Sequence, residues 1–285
     1  MRMKKAIAIM SAAGLLLSAV PVMPVQTLTA SAANGMNGGH ITPDATWSLT
    51  IPSGVLTISG SGEIPDYTID PPPWYDYYGL CKEIIIEEGI TSIGVQAFSG
   101  LFNVESVEIP DSVTTIKYGA FSGDSALEHI TIPKNVQEIQ ARALGYCPAL
   151  KEVIIFSRTC SINSDAFLLT NLRDLRKGGI FVYNNCQTKT TLRQAVDSRV
   201  IYNIPDLNQD GKINMADAQL QQQIALDEMM GINNPKKNRA TDFNRDNHIT
   251  SLEAQFILNY YMNNTLLEDD YLMFYDIVPE GYLGK

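Results

Sequence analysis

Residues 127–150 read Leu-Glu-His-Ile-Thr-Ile-Pro-Lys-Asn-Val-Gln-Glu-Ile-Gln-Ala-Arg-Ala-Leu-Gly-Tyr-Cys-Pro-Ala-Leu. Ile130 and Ile132 flank Thr131, so a short strand here points both isoleucines to one side. Pro133 removes a backbone donor and ends the strand. Ile139, Leu144 and Leu150 then supply apolar side chains from the return path. No segment this short buries such residues alone. The same pattern recurs on both sides. Ile86, Ile109, Ile132 and Ile155 stand 23 residues apart. The same step relates Ile84, Val107, Ile130 and Val153, then Ile93, Ile116, Ile139 and Ile162. Ala97, Ala120, Ala143 and Ala166 follow it too, each preceding Phe98, Phe121, Leu144 or Phe167. Cys81 falls one step before Val104, Leu127 and Leu150, which makes it an apolar plug. A period in the twenties specifies a solenoid whose coils stack to build a continuous core. Four or five strands about 4.8 Å apart make a stack of roughly 20–25 Å. Stacked ladders of this kind are expected to fold without calcium and without the segment that follows.

The ends of such a stack need covers. Trp47 to Ile51 and Val55 to Gly60 alternate as two strands, turning near Pro52-Ser53-Gly54, and predict a hairpin at the N-terminal end. Pro71-Pro72-Pro73-Trp74-Tyr75-Asp76-Tyr77-Tyr78 is a stiff aromatic stretch, read as a lid over the first coil. Its rings are also of a kind that stacks on sugars or on a partner. Ile180 to Tyr183 reads as a last strand and Thr191 to Val196 as a short closing helix. The Trp-Ser-Leu and Leu-Thr-Ile-Ser-Gly hairpin, the Pro-Pro-Trp stretch and the repeated Ile-Pro, Ile and Ala-Phe positions resemble the bacterial surface leucine-rich repeats called BspA-like. The resemblance covers about residues 45–185 and implies adhesion and protein–protein binding.

A second repeat follows. Asp206-Leu207-Asn208-Gln209-Asp210-Gly211-Lys212-Ile213-Asn214-Met215-Ala216-Asp217 is matched 36 residues later by Asp242-Phe243-Asn244-Arg245-Asp246-Asn247-His248-Ile249-Thr250-Ser251-Leu252-Glu253. Asp, Asn and Asp occupy positions 1, 3 and 5, and a carboxylate closes each loop at position 12. Calcium collects six to eight oxygens in such loops. Position 7 offers its carbonyl, which admits Lys212 and His248. Asn214 or Thr250 at position 9 would hold a bridging water. Gly211 suits the sharp turn at position 6, and Asn247 is the next best residue for a positive φ. Ile213 and Ile249 at position 8 are expected to pair as a small β-bridge. Leu220 and Ile224, then Phe256 and Tyr260, each share one helix face.

A duplicated calcium loop with one following helix per copy resembles a dockerin over about residues 204–265. Glu253 and Asn247 depart from the usual Asp and Gly. The resemblance implies two calcium ions and docking to a cohesin domain of a scaffoldin in a cellulosome. The residues at loop positions 10 and 11, Met215 and Ala216, then Ser251 and Leu252, would face the cohesin. The fold class expected is therefore α+β: a leucine-rich-repeat-like solenoid with short parallel strands and a hairpin cap, then a small all-α dockerin. The boundaries are 1–32 signal peptide, 40–203 solenoid with caps, 204–265 dockerin and 266–285 tail. Tyr202-Asn203-Ile204-Pro205 reads as a short linker in a semi-rigid two-domain rod.

Arg2, Lys4 and Lys5 precede the apolar run Ala6 to Val20, and Ala30-Ser31-Ala32 is a small-residue cleavage site. This is a secretory signal, and its removal takes the net charge from −10 to −13. No later apolar run reaches membrane-spanning length. The acidic balance argues against nucleic acid, because no basic stripe is present to displace counterions. Cys81, Cys147, Cys160 and Cys186 fit neither a zinc pair nor a disulfide framework and are read as free thiols. No nucleophile elbow or glycine-rich phosphate loop occurs. His40 lies in a flexible start, His248 in a calcium loop. His129 shares a solvated edge position with Glu83, Ser106 and Glu152. The chain is thus expected to be a secreted, monomeric, non-catalytic binder whose solenoid takes another protein or a cell-wall component. The alternative is a carbohydrate-active or protease-regulating cellulosome subunit. A pocket of convergent carboxylates on the concave face would favour that alternative, and a shallow open sheet the binder.

Overall fold

A computed structural model describes residues 36–173, 179–183, 186–196, 201–237, 240–243 and 246–266. The expected signal peptide at 1–32, the tail beyond Leu266 and Asn244, expected as a calcium ligand, lie outside these residues.

The chain opens with β1 (Met36–His40), β2 (Ala45–Thr50) and β3 (Val55–Gly60), an antiparallel set with β2 in the centre. The expected hairpin is β2–β3, with Trp47 opposite Ile58 and Leu49 opposite Leu56. His40 belongs to β1, paired with Thr46, and not to a flexible start. Parallel pairing begins where β3 meets β5 (Glu83–Ile86), and β5 pairs β7 (Ser106–Glu108). Ile84 pairs Val107, so the sequence period is the strand register. Farther along, β9 (His129–Ile132), β11 (Glu152–Ile155), β13 (Gly179–Val182) and β14 (Ile201–Asn203) form a four-stranded parallel sheet.

The return path of each coil also carries a strand. β4 (Gly62–Glu63), β6 (Ile90–Ile93), β8 (Thr115–Ile116), β10 (Glu138–Ile139) and β12 (Ser161–Ile162) build a second, narrow parallel sheet. It places Ile93, Ile116, Ile139 and Ile162 in one inward ladder, all buried. The interior between the two sheets is one contiguous apolar core running from Ala45 to Ile201.

Aromatic rings cap that core at its start. Trp74 is fully buried and donates its indole N–H to the Ala97 carbonyl at 3.1 Å. Its ring stacks on Phe98 (5.3 Å, 17°), and Phe98 stacks on Phe121 (5.4 Å, 12°). Trp47 and Tyr67 meet its edges at 6.2 and 5.8 Å. Trp74 therefore acts as the first rung of the Phe98–Phe121–Leu144–Phe167 ladder, as the lid reading required. At the other end, α1 (Gln187–Ala195) buries Leu192 and Ala195 against the last coil. It starts earlier than the sequence indicated, because Cys186 serves as its N-cap, its sulfur accepting from the Lys189 amide. All four cysteines are free thiols. Burial pushes the Cys81 thiol up to about 11 and Cys147 and Cys160 up to about 12, which makes them inert fillers.

Two expectations change here. Residues 202–205 are no simple linker, since Tyr202 and Asn203 belong to β14, whose Ile201 and Tyr202 pair with Ile180 and Phe181. Nor is the position of Glu83, Ser106, His129 and Glu152 a uniformly solvated edge. Glu152 is buried and flanked by strands on both sides, opposite His129 and Gly179. Burial drops the His129 imidazole to about 4, so it is neutral near pH 7.

Ile132→Asp would set a carboxylate beside Ile155 in the core. It should cost several kcal/mol in denaturant unfolding. Trp74→Ala should cost about 3–5 kcal/mol, whereas the exposed Tyr75→Ala should cost under about 0.5 kcal/mol.

Candidate calcium and docking site

Both oxygen-rich loops feed directly into helices. Asn214 caps α2 (Met215–Met229) and Thr250 caps α3 (Ser251–Tyr261). In each copy the position-12 carboxylate is also the third helical residue of a capping box, returning a bond to the cap's own amide. One side chain thus both closes the loop and starts the helix.

Four backbone-to-carboxylate bonds of the first loop recur at equivalent positions in the second. Leu207 N–H donates to Asp217 Oδ1 at 2.8 Å, and Phe243 N–H donates to Glu253 Oε1 at 2.9 Å. Asn214 N–H reaches Asp217 Oδ2 at 2.9 Å, and Thr250 N–H reaches Glu253 Oε2 at 2.8 Å. Gly211 and Asn247 donate to Asp206 and Asp242, each at 2.9 Å. Lys212 and His248 donate to Asp210 and Asp246, at 2.9 and 2.7 Å. Gly211 and Asn247 both sit at positive φ, +86° and +64°, at the turn position expected of them. The longer Glu253 therefore occupies the same place as Asp217.

Among the described residues, no three His, Cys, Asp or Glu side chains are gathered into a ready metal cluster. The carboxylates are instead held by backbone amides, around loops whose donors are oxygens. The residues still fit a hard cation. Asp217 and Glu253 are fully buried carboxylates. Burial, opposed by backbone hydrogen bonds and reinforced by the charge of Asp206, pushes Asp217 up to about 6. Burial, with help from Asp242 and Asp246, pushes Glu253 up to about 7. A cation drawn into the loops would offset that cost. Asp206, Asn208, Asp210, the Lys212 carbonyl and Asp217 lie in the first loop. Asp242, Asp246, the His248 carbonyl and Glu253 lie in the second, with Asn244 outside the described residues.

The expected bridge between Ile213 and Ile249 does not form. The Ile249 amide is taken by Glu228 of α2 at 3.1 Å, and Glu228 also holds His248 Nδ1 (3.0 Å) and Lys237 (2.9 Å). The two isoleucines contribute only their side chains to the core.

α2 and α3 pack against each other, with Gln222 donating to Ser251 at 3.1 Å. Along them runs an open groove of about 340 Å³, lined by Met215, Ala218, Gln222, Leu226, Ala254 and Leu258. Met215 and Leu252 are 47 % and 46 % exposed, and Ala216 and Ser251 are exposed as well. All four candidate partner-binding residues are therefore accessible.

The helices do not stand apart from the coil. Ile154, Phe181 and Tyr202 are neighbours across β11, β13 and β14 and point out of the solenoid core. They join one apolar cluster with Leu207, Ala218, Ile224, Phe243, Phe256 and Tyr260. Phe181 meets Tyr202 at 5.4 Å and Phe243 at 6.4 Å, and Phe243 meets Phe256 at 5.9 Å. Sequence reading missed this second core. The runs Val153-Ile154-Ile155 and Ile180-Phe181-Val182 were its signal, since continuous apolar strands are buried on both faces. The signal is ambiguous, because Ile84-Ile85-Ile86 has the same form while Ile85 stays half-buried.

Comparison with known proteins agrees with both halves. Residues 74–187 match the BspA type leucine rich repeat region in six copies, and residues 204–262 match the dockerin type I domain. No curated protein matches the chain. Among solved structures, a leucine-rich repeat protein from Eubacterium ventriosum is 26% identical, with a TM-score of 0.40, covering 53% of this chain and 39% of that one. One from Bacteroides ovatus is 22% identical, with a TM-score of 0.33, covering 49% and 40%. The pneumococcal vaccine antigen PcpA is 19% identical, with a TM-score of 0.35, covering 55% and 46%. This chain thus spans less than half the length of each of these three. Among the described residues no helix is long and apolar enough to cross a membrane.

The raised carboxyls set a pH dependence. Their folded values lie above the ordinary ones, so without calcium the protonated form favours folding. The calcium-free chain should melt higher at pH 5 than at pH 8. Calcium must displace those protons, so its stabilising shift should be large at pH 8 and shrink as pH falls through 7 to 6. Melting curves with calcium and with EDTA across this range check both signs. The chain carries a BspA-type leucine-rich repeat region at residues 74–187 and a type I dockerin domain at residues 204–262.

Proposed function

We propose that this chain is a non-catalytic, secreted component of a cellulosome. Its dockerin, residues 204–265, docks to a scaffoldin cohesin and binds two calcium ions, one per loop. Its solenoid, residues 40–203, presents a surface to another protein or a cell-wall component. The observation that carries this reading is the recurrence of four backbone-to-carboxylate bonds in the two loops 36 residues apart, each loop closed by a buried carboxylate that also starts a helix. Type I dockerin domains bind calcium and imply a cohesin partner. Dockerin and BspA-type repeat domains are both typical of extracellular or cell-surface proteins, and neither is catalytic. The signal peptide at 1–32 and a monomeric state belong to the same proposal.

The test is capture of a cohesin by the purified chain. Binding should be strong with calcium and lost in EDTA, and equal binding in EDTA would overturn the calcium requirement. Orientation can be read in the same assay. The first copy offers Met215 and Ala216 beside Gln219, Gln222 and Gln223. The second offers Ser251 and Leu252 beside Gln255 and Asn259. Two unlike faces should not suit one cohesin equally, and about 1.4 kcal/mol suffices for a tenfold preference. One of Ala216→Asp and Leu252→Asp should therefore weaken affinity at least tenfold while the other changes little. Two single variants that both bind normally would mean that either copy serves.

A further inference from the structure

Tyr183 stands at the end of β13, in the solenoid, yet its hydroxyl donates to Oδ2 of Asp206, the first residue of the first calcium loop. Both groups are almost fully buried. The same Asp206 oxygen accepts the Gly211 amide at 2.9 Å, and Oδ1 accepts the Asp210 amide at 3.1 Å. Asp206 is thereby fixed in direction from inside the loop and from outside it. The tyrosine is itself held. Arg158, which follows β11, lies over its ring at 4.7 Å and donates to Gln209 of the loop at 2.7 Å. Gln209 adopts a positive φ of 65° at this point. Two consecutive coils of the solenoid therefore reach into the loop, one at its first residue and one at its fourth. Asn203 and Thr241 tie the modules at a further point: the Asn203 side-chain Nδ2 donates to the Ala240 carbonyl, and the Thr241 hydroxyl donates to the Asn203 backbone carbonyl, both at 3.0 Å.

We infer that Tyr183 is a positioning residue for the first calcium site, so that the leucine-rich repeat domain sets the calcium affinity of the dockerin fused to it. The physical argument is that of outer-shell support. A carboxylate whose second oxygen is already aimed by a buried hydroxyl loses less freedom when the ion arrives, and removing such a partner typically weakens binding 10–100-fold. The tyrosine acts through Asp206 and does not itself touch the ion. The inference rests on the reading of the two loops as calcium sites.

Tyr183→Phe keeps the ring under Arg158 and removes only the hydroxyl. It should be made in the full chain carrying Asp246→Ala, which disables the second loop and leaves the first to be titrated alone. Calcium titration by calorimetry should show affinity for the remaining site about tenfold or more below that of Asp246→Ala alone. Tyr183→Phe in the otherwise unaltered chain should titrate one weakened site and one unchanged site. Circular dichroism of the calcium-free variants should match the parent, which separates positioning from a folding defect. Equal first-site affinity with and without the hydroxyl would overturn the inference and leave the calcium reading standing. Failure of the unaltered chain to bind calcium at all would overturn both.

Discussion

A stack of coils cannot end in water. Each coil buries Ile, Leu, Val and Phe only because a neighbour lies on either side, so the first and last coils expose what every other coil hides. Most of what is irregular here answers that constraint. At the start, an antiparallel hairpin replaces the missing coil, and Trp74 substitutes for a phenylalanine of the ladder with its N–H paired to the Ala97 carbonyl, 23 residues farther along the chain. At the end, α1 covers the interior and β14 extends the sheet one strand beyond the repeat. The helical domain then covers the outward face of those last strands.

That last contact changes what the molecule is. A tethered docking module would leave the repeat domain free to swing. Here Ile154, Phe181 and Tyr202 lie in the same apolar cluster as Phe243, Phe256 and Ile257. The groove along α2 and α3 is lined by Met215, Gln222 and Leu226, which lie outside that cluster, and meets it only at Ala218 and Leu258. The dockerin thus uses one face against its own solenoid and keeps another free.

The ladders were legible because a 23-residue step repeats apolar residue types at fixed positions, and the register of β5, β7, β9 and β11 follows it. The loops were legible because calcium chemistry restricts residue types at several positions of each. Asn247 shows how far that goes, since its positive φ follows from its place in the loop. The narrow second sheet was not legible: β8, β10 and β12 are two-residue strands with one inward isoleucine each, which a loop could carry as well, and β4 carries none. Asp124 was not legible either. It is fully buried at a position held by Leu101 and Cys147 in neighbouring coils, one oxygen accepting the Leu101 amide at 2.9 Å, and burial raises its carboxyl well above the usual range. The shared core escaped because its local signal, the continuous apolar runs at 153–155 and 180–182, recurs at 84–86 where Ile85 is only half-buried, and the contact of Phe181 with Phe243 is tertiary.

Hydrogen exchange of the full chain, with calcium and after its removal, is the most direct test of the claim that the two domains share a core. Loss of calcium should speed exchange through α2 and α3 and also in β13 and β14, while β5 to β8 stay protected. Faster exchange confined to residues 204–262, with β13 and β14 unchanged, would contradict it.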